Sequence, residues 1–254
     1  MQARKRGQMY IEKNLQSLAH DLQLCRCQAM YGSDKGYIHS YLQNFYQPLL
    51  QDFMCPNSIL EIGIYKGSSM VLWRTALPNS HLTGIDIQDH KNLNPEFKVL
   101  KDAGVFALHY GDAYTSEKIY SELGKYDLVI DDGPHTYDSQ IMAIKFRNLL
   151  SQDGILVIED VPNMDYRLRS IRRSLPKEDR KNLSGVGFTH LTGRHDDALI
   201  VYCSDPKFRE WKKTNLSWIS RNSFIQTYVI SILPISRFFF RLVSRRTRRI
   251  NHKV

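Results

Sequence analysis

From residue 59 onward, short apolar runs alternate with stretches of helical period. The runs are Ile59-Leu60 with Ile62, His81-Leu-Thr-Gly-Ile85, residues 105–110, Tyr126-Asp-Leu-Val-Ile130 and Gly154-Ile-Leu-Val-Ile158. They are too short for helices and rich in Ile, Leu and Val, so they predict buried strands. Residues 68–77, 116–123 and 138–150 predict helices between them, the first stopped by Pro78-Asn79. Alternation of this kind argues for a parallel sheet covered on both faces. Further on, 165–182 is strongly charged and reads as helical. Residues 185–191 and 198–203 read as strands joined by 192–197, an antiparallel hairpin that closes the sheet. Upstream, Ile11, Leu15, Leu18, Leu22 and Cys25 recur at helical spacing within 9–30. A polar, glycine-containing loop over 31–41 and a second helix over 42–53 follow. The chain divides on this pattern into an N-terminal helical lid (1–56), an α/β domain (57–210) and a C-terminal extension (211–254).

The turn after the first strand carries the first chemical signal. Glu61-Ile-Gly63-Ile-Tyr65-Lys-Gly67 passes directly into Ser68-Ser69 at a helix start. A buried strand, a glycine turn and a helix N-terminus present backbone N–H groups to a ligand, and Gly63 lets the backbone approach it closely. The spacing Glu-x-Gly-x-x-x-Gly is not the Gly-x-Gly-x-x-Gly of a dinucleotide site. Together with acids after later strands, it predicts S-adenosylmethionine rather than a nicotinamide dinucleotide. Asp86 ends the second strand, where a carboxylate can accept both ribose hydroxyls; Ile87 follows it. Asp112, after the third strand, is placed to hold the adenine amino group. Capping of a helix is the alternative role for either acid.

A second cluster follows the fourth and fifth strands: Asp131-Asp132-Gly-Pro-His135 and Glu159-Asp160. Carboxylates converging at adjacent strand ends repel one another, and some would be forced to protonate. Mg²⁺, which takes oxygen ligands and leaves positions for substrate, resolves the conflict. It would lower the pKa of an acceptor hydroxyl, and His135, of a residue type that titrates near neutral pH, could take the proton. The plain alternative is that these acids cap helices and His135 is a loop histidine.

These pieces, taken in order, resemble the metal-dependent mycinamicin-type sugar O-methyltransferases and the cephalosporin-hydroxylase and rhamnosyl methyltransferase group. They are Ser33-Asp-Lys-Gly, His39-Ser-Tyr41, Leu60-Glu-Ile-Gly63, Gly67-Ser-Ser-Met-Val-Leu-Trp73, Pro78, Gly84-Ile-Asp-Ile87, Val129-Ile-Asp-Asp-Gly-Pro-His135 and Val157-Ile-Glu-Asp160, within 31–162. The resemblance implies a Rossmann-like class I methyltransferase fold, with a mostly parallel seven-stranded sheet. It implies S-adenosylmethionine as donor, Mg²⁺ as cofactor, a sugar hydroxyl as acceptor and His135 as base with Asp132 beside it. Glu61, Gly63, Tyr65, Gly67, Ser68, Asp86, Ile87, Asp112 and Asp131 are the expected donor-binding residues. The resemblance favours Asp132 and Asp160 as metal ligands, whereas catechol-type spacing favours Asp131 and Glu159, so all four stay open. The family's glycine-rich first loop is replaced by Ile64-Tyr65-Lys66, and 163–210, which matches nothing in it, is expected to set acceptor specificity.

Charge alters the picture at the C-terminus. The chain has 254 residues and a formal net charge of +9, but of 35 basic residues ten lie after Glu210, where no acid occurs. That leaves 25 basic against 26 acidic residues in 1–210, so the basic balance belongs to the tail and argues against nucleic acid as partner. A ribose 2′-O-methyltransferase reading also fares poorly because the acid cluster repels phosphate. Residues 224–243 are largely apolar, Pro234 would kink a helix there, and arginines follow at helical spacing. The uncharged run before Arg237 is shorter than the ~20 residues a span needs. Segment 221–254 therefore reads as a basic amphipathic element on an anionic membrane surface, with a dimerisation helix, and hence a homo-oligomer, as the alternative. A membrane-associated binding module without turnover is the non-enzymatic reading. Cys25, Cys27, Cys55 and Cys203 form no Cys-x-x-Cys pair, and no apolar run follows Arg4-Lys5-Arg6. Both features predict a cytoplasmic chain, peripheral at the inner membrane surface.

Overall fold

The computed structural model describes residues 14–24, 32–36, 38–188, 191 and 194–216. Segment 221–254 and the ends of the 9–30 helix lie outside them. The strands are β1 Ser58–Ile62, β2 His81–Asp86, β3 Ala107–Tyr110, β4 Tyr126–Asp131, β5 Leu150–Ile158, β6 Leu183–Gly187 and β7 Ala198–Cys203. They form one sheet in the order β3-β2-β1-β4-β5-β7-β6, in which β7 runs antiparallel to both neighbours. The order reverses between β1 and β4, whose carboxyl ends therefore open a crevice, the place where open α/β sheets take ligands.

Alternate strand residues feed two cores. Ile59, Leu128, Ile130, Ile155 and Val157 pack on one face; Leu60, Val129, Leu156 and Ile158 pack on the other. This is why the strands read as continuous apolar runs. On the first face lie α1 (Leu15–Asp21), α2 (Ser68–Ala76), α3 (Pro95–Asp102), α7 (Pro206–Asn215) and the segment 41–54. On the second lie α4 (Glu117–Glu122), α5 (Tyr137–Met142) and α6 (Met164–Ser174). Trp73, Tyr41, Tyr46 and Phe45 are fully buried on the first face, each contributing roughly 1.5–3 kcal/mol in apolar burial.

The structure corrects several expectations. Residues 42–53 are wound as two π-helical turns, Leu42–Tyr46 and Leu49–Phe53. The helix expected over 138–150 tightens after Met142 into a 3₁₀ segment, Ala143–Leu149, because β5 already begins at Leu150. Two helices went unread, α3 and α7. Both open on the same signal, an Asx cap followed by proline: Asn94 accepts from Phe97 N at 3.1 Å and Asp205 from Lys207 N at 2.8 Å. Helix α7 runs across the boundary set at 210, and its Phe208 and Trp211 join the first core. Of the segment before 57, Leu15, Leu18, Ala19, Leu24 and residues of 41–54 join that core. Among the described residues, no helix is long and apolar enough to cross a membrane.

Candidate active site

The turn from β1 to α2 is built by close approach. Gly63 has φ +84°, and a Cβ there would lie 2.1 Å from the Asp132 carbonyl oxygen. Its hydrogen therefore admits the neighbouring strand end as well as any ligand. Gly67 caps α2, and a Cβ on it would meet the Phe97 ring at 2.1 Å; it packs on α3 and lines neither cavity. Tyr65 takes φ +47° between them. Tyr65, His135, Asp160 and Asn163 are four of the six described non-glycine residues with positive φ. All four sit at the carboxyl edge, where such strain marks sites held by their surroundings.

Two cavities meet at Gly63, Tyr65, Asp132 and Gly133. The first, about 480 Å³, is walled by Ile62, Asp86, Ile87, Asp112 and Tyr114 among others. The Asp86 carboxylate accepts from Tyr65 N at 2.7 Å, and His90 Nε2 stands 3.2 Å from it. Ile87 is 66 % exposed, an apolar surface offered to the cavity. The Asp112 carboxylate accepts from Tyr114 N at 2.8 Å and Thr115 Oγ1 at 2.7 Å, and these bonds hold its pKa below the usual carboxylate range. Its turn-capping role thus coexists with a place on the cavity wall. The second cavity, about 430 Å³, is lined by Asp34, Lys66, Ser68, Asp132 and His135 among others.

The acid cluster separates into an inner and an outer set. Inner Glu61, Asp131 and Glu159 are buried and line neither cavity. Asp131 accepts from the Tyr114 hydroxyl; burial pushes its pKa up to about 7, against the pull of that hydrogen bond. Glu159 accepts from Lys35 and from the Tyr46 hydroxyl, and burial raises its pKa well above the ordinary value. Outer Asp132 and Asp160 face His135, whose Nε2 lies 3.6 Å from Asp132 Oδ1 and 3.7 Å from Asp160 Oδ2. Single ligand atoms of these three residues all fall within 4.8 Å of one another. The paired neighbours left open by sequence thus point apart: Asp132 lines both cavities and Asp160, which lines neither, faces His135, while Asp131 and Glu159 are turned inward to protein partners. Glu61, expected at the donor, is likewise inside.

Sequence reasoning missed what balances the inner set. Lys35 is 1 % exposed. Its Nζ donates to Asp132 Oδ2 at 2.6 Å and to Glu159, and lies 3.4 Å from Glu61. Burial alone would depress its pKa, but Asp132, Glu159 and Glu61 hold it well above the usual lysine value. His39 plays the corresponding part for the outer set. Its Nε2 is 3.5 Å from Asp160 and its Nδ1 3.4 Å from Asp197; burial opposes and these acids favour the charge, with a raised pKa as the result. Tyr41 Oη donates to Asp160 Oδ1 at 2.9 Å. Burial of Asp131, Glu159 and Asp160 is tolerated because each accepts hydrogen bonds from such partners, whereas the Glu61 oxygens accept none among the described residues and are offset by the Lys35 ammonium 3.4 Å away. The expectation that a divalent ion alone makes the edge tolerable is therefore corrected. Ser33-Asp-Lys-Gly and His39-Ser-Tyr41 stood out in the sequence, but nothing there said that they reach the strand ends.

Residues 60–161 match the family described as a methyltransferase domain. Over 112 residues the chain is 30 % identical to mycinamicin VI 2″-O-methyltransferase of Micromonospora griseorubida, covering 41 % of this chain and 27 % of that one. Over 154 residues it is 29 % identical to the 8-demethyl-8-(2-methoxy-alpha-L-rhamnosyl)-tetracenomycin-C 3′-O-methyltransferase of Streptomyces olivaceus, covering 54 % and 36 %. The chain thus spans about a third of the length of these curated relatives. Among solved structures it is similar to the MycE methyltransferase of the mycinamicin pathway, in complex with Mg, SAH and mycinamicin VI. The TM-score is 0.51 at 17 % identity, over 75 % of this chain and 54 % of that one. With the sheet order, the antiparallel β7 and the glycine turn already described, the chain has the class I methyltransferase fold, and its residues 60–161 match a methyltransferase domain and resemble the mycinamicin-type sugar O-methyltransferases.

Proposed function

We propose that this chain is an S-adenosylmethionine-dependent, Mg²⁺-assisted O-methyltransferase acting on a hydroxyl of a sugar or sugar-like small molecule. The observation that carries the reading is the convergence of Asp132, which lines both cavities, His135, which lines the second, and Asp160 beside them, with one ligand atom of each within 4.8 Å of the others. The names of the curated relatives, both O-methyltransferases and one of them for a rhamnosyl-bearing substrate, support the acceptor class.

The residues present fit both groups. The first cavity lies in the ~300–1,000 Å³ range of small-molecule sites, with the Asp86 carboxylate for ribose hydroxyls and Ile87 for the flat face of a base. Lys35 and His39 engage the far oxygens of Asp132 and Asp160, and the oxygens left facing His135, Asp132 Oδ1 and Asp160 Oδ2, are ligands of the kind a hard divalent ion takes. When bound, S-adenosylmethionine supplies an electrophilic methyl group and Mg²⁺ lowers the pKa of a coordinated alcohol. Asp132 and Asp160 would hold the ion through the oxygens that face His135. His135 Nε2, on the same rim, would accept the acceptor's hydroxyl proton. Tyr41 and His39 fix Asp160, and Lys35 fixes Asp132.

Transfer of labelled methyl from S-adenosylmethionine to a panel of rhamnosides and related glycosides tests the reading. Loss of transfer on adding EDTA and in His135→Ala is expected; transfer that survives both rules out the mechanism. The basic segment 221–254 supports, on its sequence, a resting place on anionic membrane, and co-sedimentation with phosphatidylserine vesicles that is lost on deleting the segment is the expected result. Equal sedimentation of both forms rules that out.

A further inference from the structure

The inner carboxylates pose a problem that the proposed metal site does not address. Glu61 and Glu159 are buried behind the rim, and neither lines a cavity. The cation beside them belongs to the chain: Lys35 Nζ touches Asp132, Glu159 and Glu61 at once. Lys35 binds one oxygen of Asp132, Oδ2, and leaves the other, Oδ1, facing His135. The lysine is anchored in turn, since Tyr41 N and Leu42 N both donate to its carbonyl, at 3.1 and 3.2 Å.

We propose that Lys35 is a positioning residue: a fixed internal cation that holds the acidic edge in its working shape without metal and turns Asp132 Oδ1 toward the rim. A divalent ion is then needed for chemistry and not for folding. The part of the inference that concerns Asp132 and the ion rests on the proposed metal site; the part that concerns the fold does not. The physical reason is the cost of an uncompensated buried charge. Removing one partner of such a cluster is strongly destabilising, whereas removing both is far cheaper.

The experiment is a double-mutant cycle on the full chain, with Lys35→Met, Glu159→Gln and the double variant, all in EDTA. Lys35→Met is expected to lower Tm by roughly 10 °C, and the double variant to recover most of that loss. If Lys35→Met does not fold, a double variant that does fold is the same expected rescue. A double variant no more stable than Lys35→Met, or one whose loss is the sum of the single losses, overturns the proposal. The second readout is the rise in Tm on adding Mn²⁺. A rise is expected for wild type and Lys35→Arg, and a smaller one for Lys35→Met, in which nothing turns Asp132 Oδ1 toward His135. An equal rise in wild type and Lys35→Met overturns the positioning role. Mn²⁺ binding to wild type, followed by electron paramagnetic resonance, separates the two ideas. Absence of binding sinks the metal site, and the cycle in EDTA still decides whether Lys35 holds the edge.

Discussion

Lys35 Nζ stands 2.6 Å from Asp132 Oδ2, although 97 residues separate them in sequence. The N-terminal segment therefore reaches the carboxyl edge and contributes a charge to it. Tyr46, four residues after Leu42, makes the same connection by donating its hydroxyl to Glu159. Tyr46→Phe removes that bond and keeps the ring against Trp73, with which it makes an edge contact at 5.1 Å. A hydrogen bond to a charged, buried partner is worth about 1.5–3 kcal/mol, so denaturant unfolding is expected to show a loss in that range. Unchanged stability would mean that Lys35 alone satisfies Glu159.

Asp131 sets a pH dependence. In the folded chain it keeps its proton up to about pH 7, because it is buried; unfolded, it releases the proton near pH ~3.9. Between these values the folded state binds more protons, so this group's contribution falls as pH rises and levels off above pH 7. Three units amount to about 4 kcal/mol at most. Asp131→Asn, which still accepts from Tyr114, is expected to gain stability relative to wild type between pH 5 and pH 8. Urea unfolding in metal-free buffer at the two pH values measures it, and parallel behaviour of both proteins rejects the assignment.

The sheet was legible because its central strands β1, β2, β4, β5 and β7 are largely buried and read as apolar runs, although edge strand β3 is not buried. A mostly parallel sheet, its closing antiparallel hairpin and a ligand site at the strand ends follow from that pattern, whereas the strand order comes from the structure. Helices α3 and α7 were hidden by their charge: Lys98, Lys101, Lys207 and Lys212 mask a single buried stripe, and only the Asx-Pro start betrays them. The choice between neighbouring acids could not be read at all. Adjacent residues at a strand end point to opposite sides, and which side is inside depends on Lys35, Tyr46 and Tyr114, which arrive from distant parts of the chain.

That division of the acids predicts the metal ligands. Asp132→Asn and Asp160→Asn each neutralise a carboxylate whose oxygen faces His135 and are expected to weaken Mn²⁺ binding at least tenfold. Asp131→Asn changes an inner group and is expected to stay within about twofold, since a change of less than ~0.4 kcal/mol reaches the rim. Magnetic resonance titration of free Mn²⁺ distinguishes them. Strong loss in Asp131→Asn with none in Asp160→Asn would favour the catechol-type assignment instead.

Gly63 offers a test of how tightly β1 and β4 are joined. Alanine there must accept φ +84° and place its methyl 2.1 Å from the Asp132 carbonyl oxygen, a backbone atom that cannot rotate aside. Gly104 supplies the control, with φ +70° and nothing within 4 Å of its Cβ position. Gly104→Ala pays for conformation alone, about 1 kcal/mol. Gly63→Ala adds the collision, which only separation of the two strand ends can relieve, and a total above about 3 kcal/mol is expected. Because Asp132 moves with that carbonyl, Gly63→Ala should also weaken Mn²⁺ binding while Gly104→Ala does not. Equal losses of stability in the two variants would mean that the strand ends part easily, and that the rim geometry is not fixed by this contact.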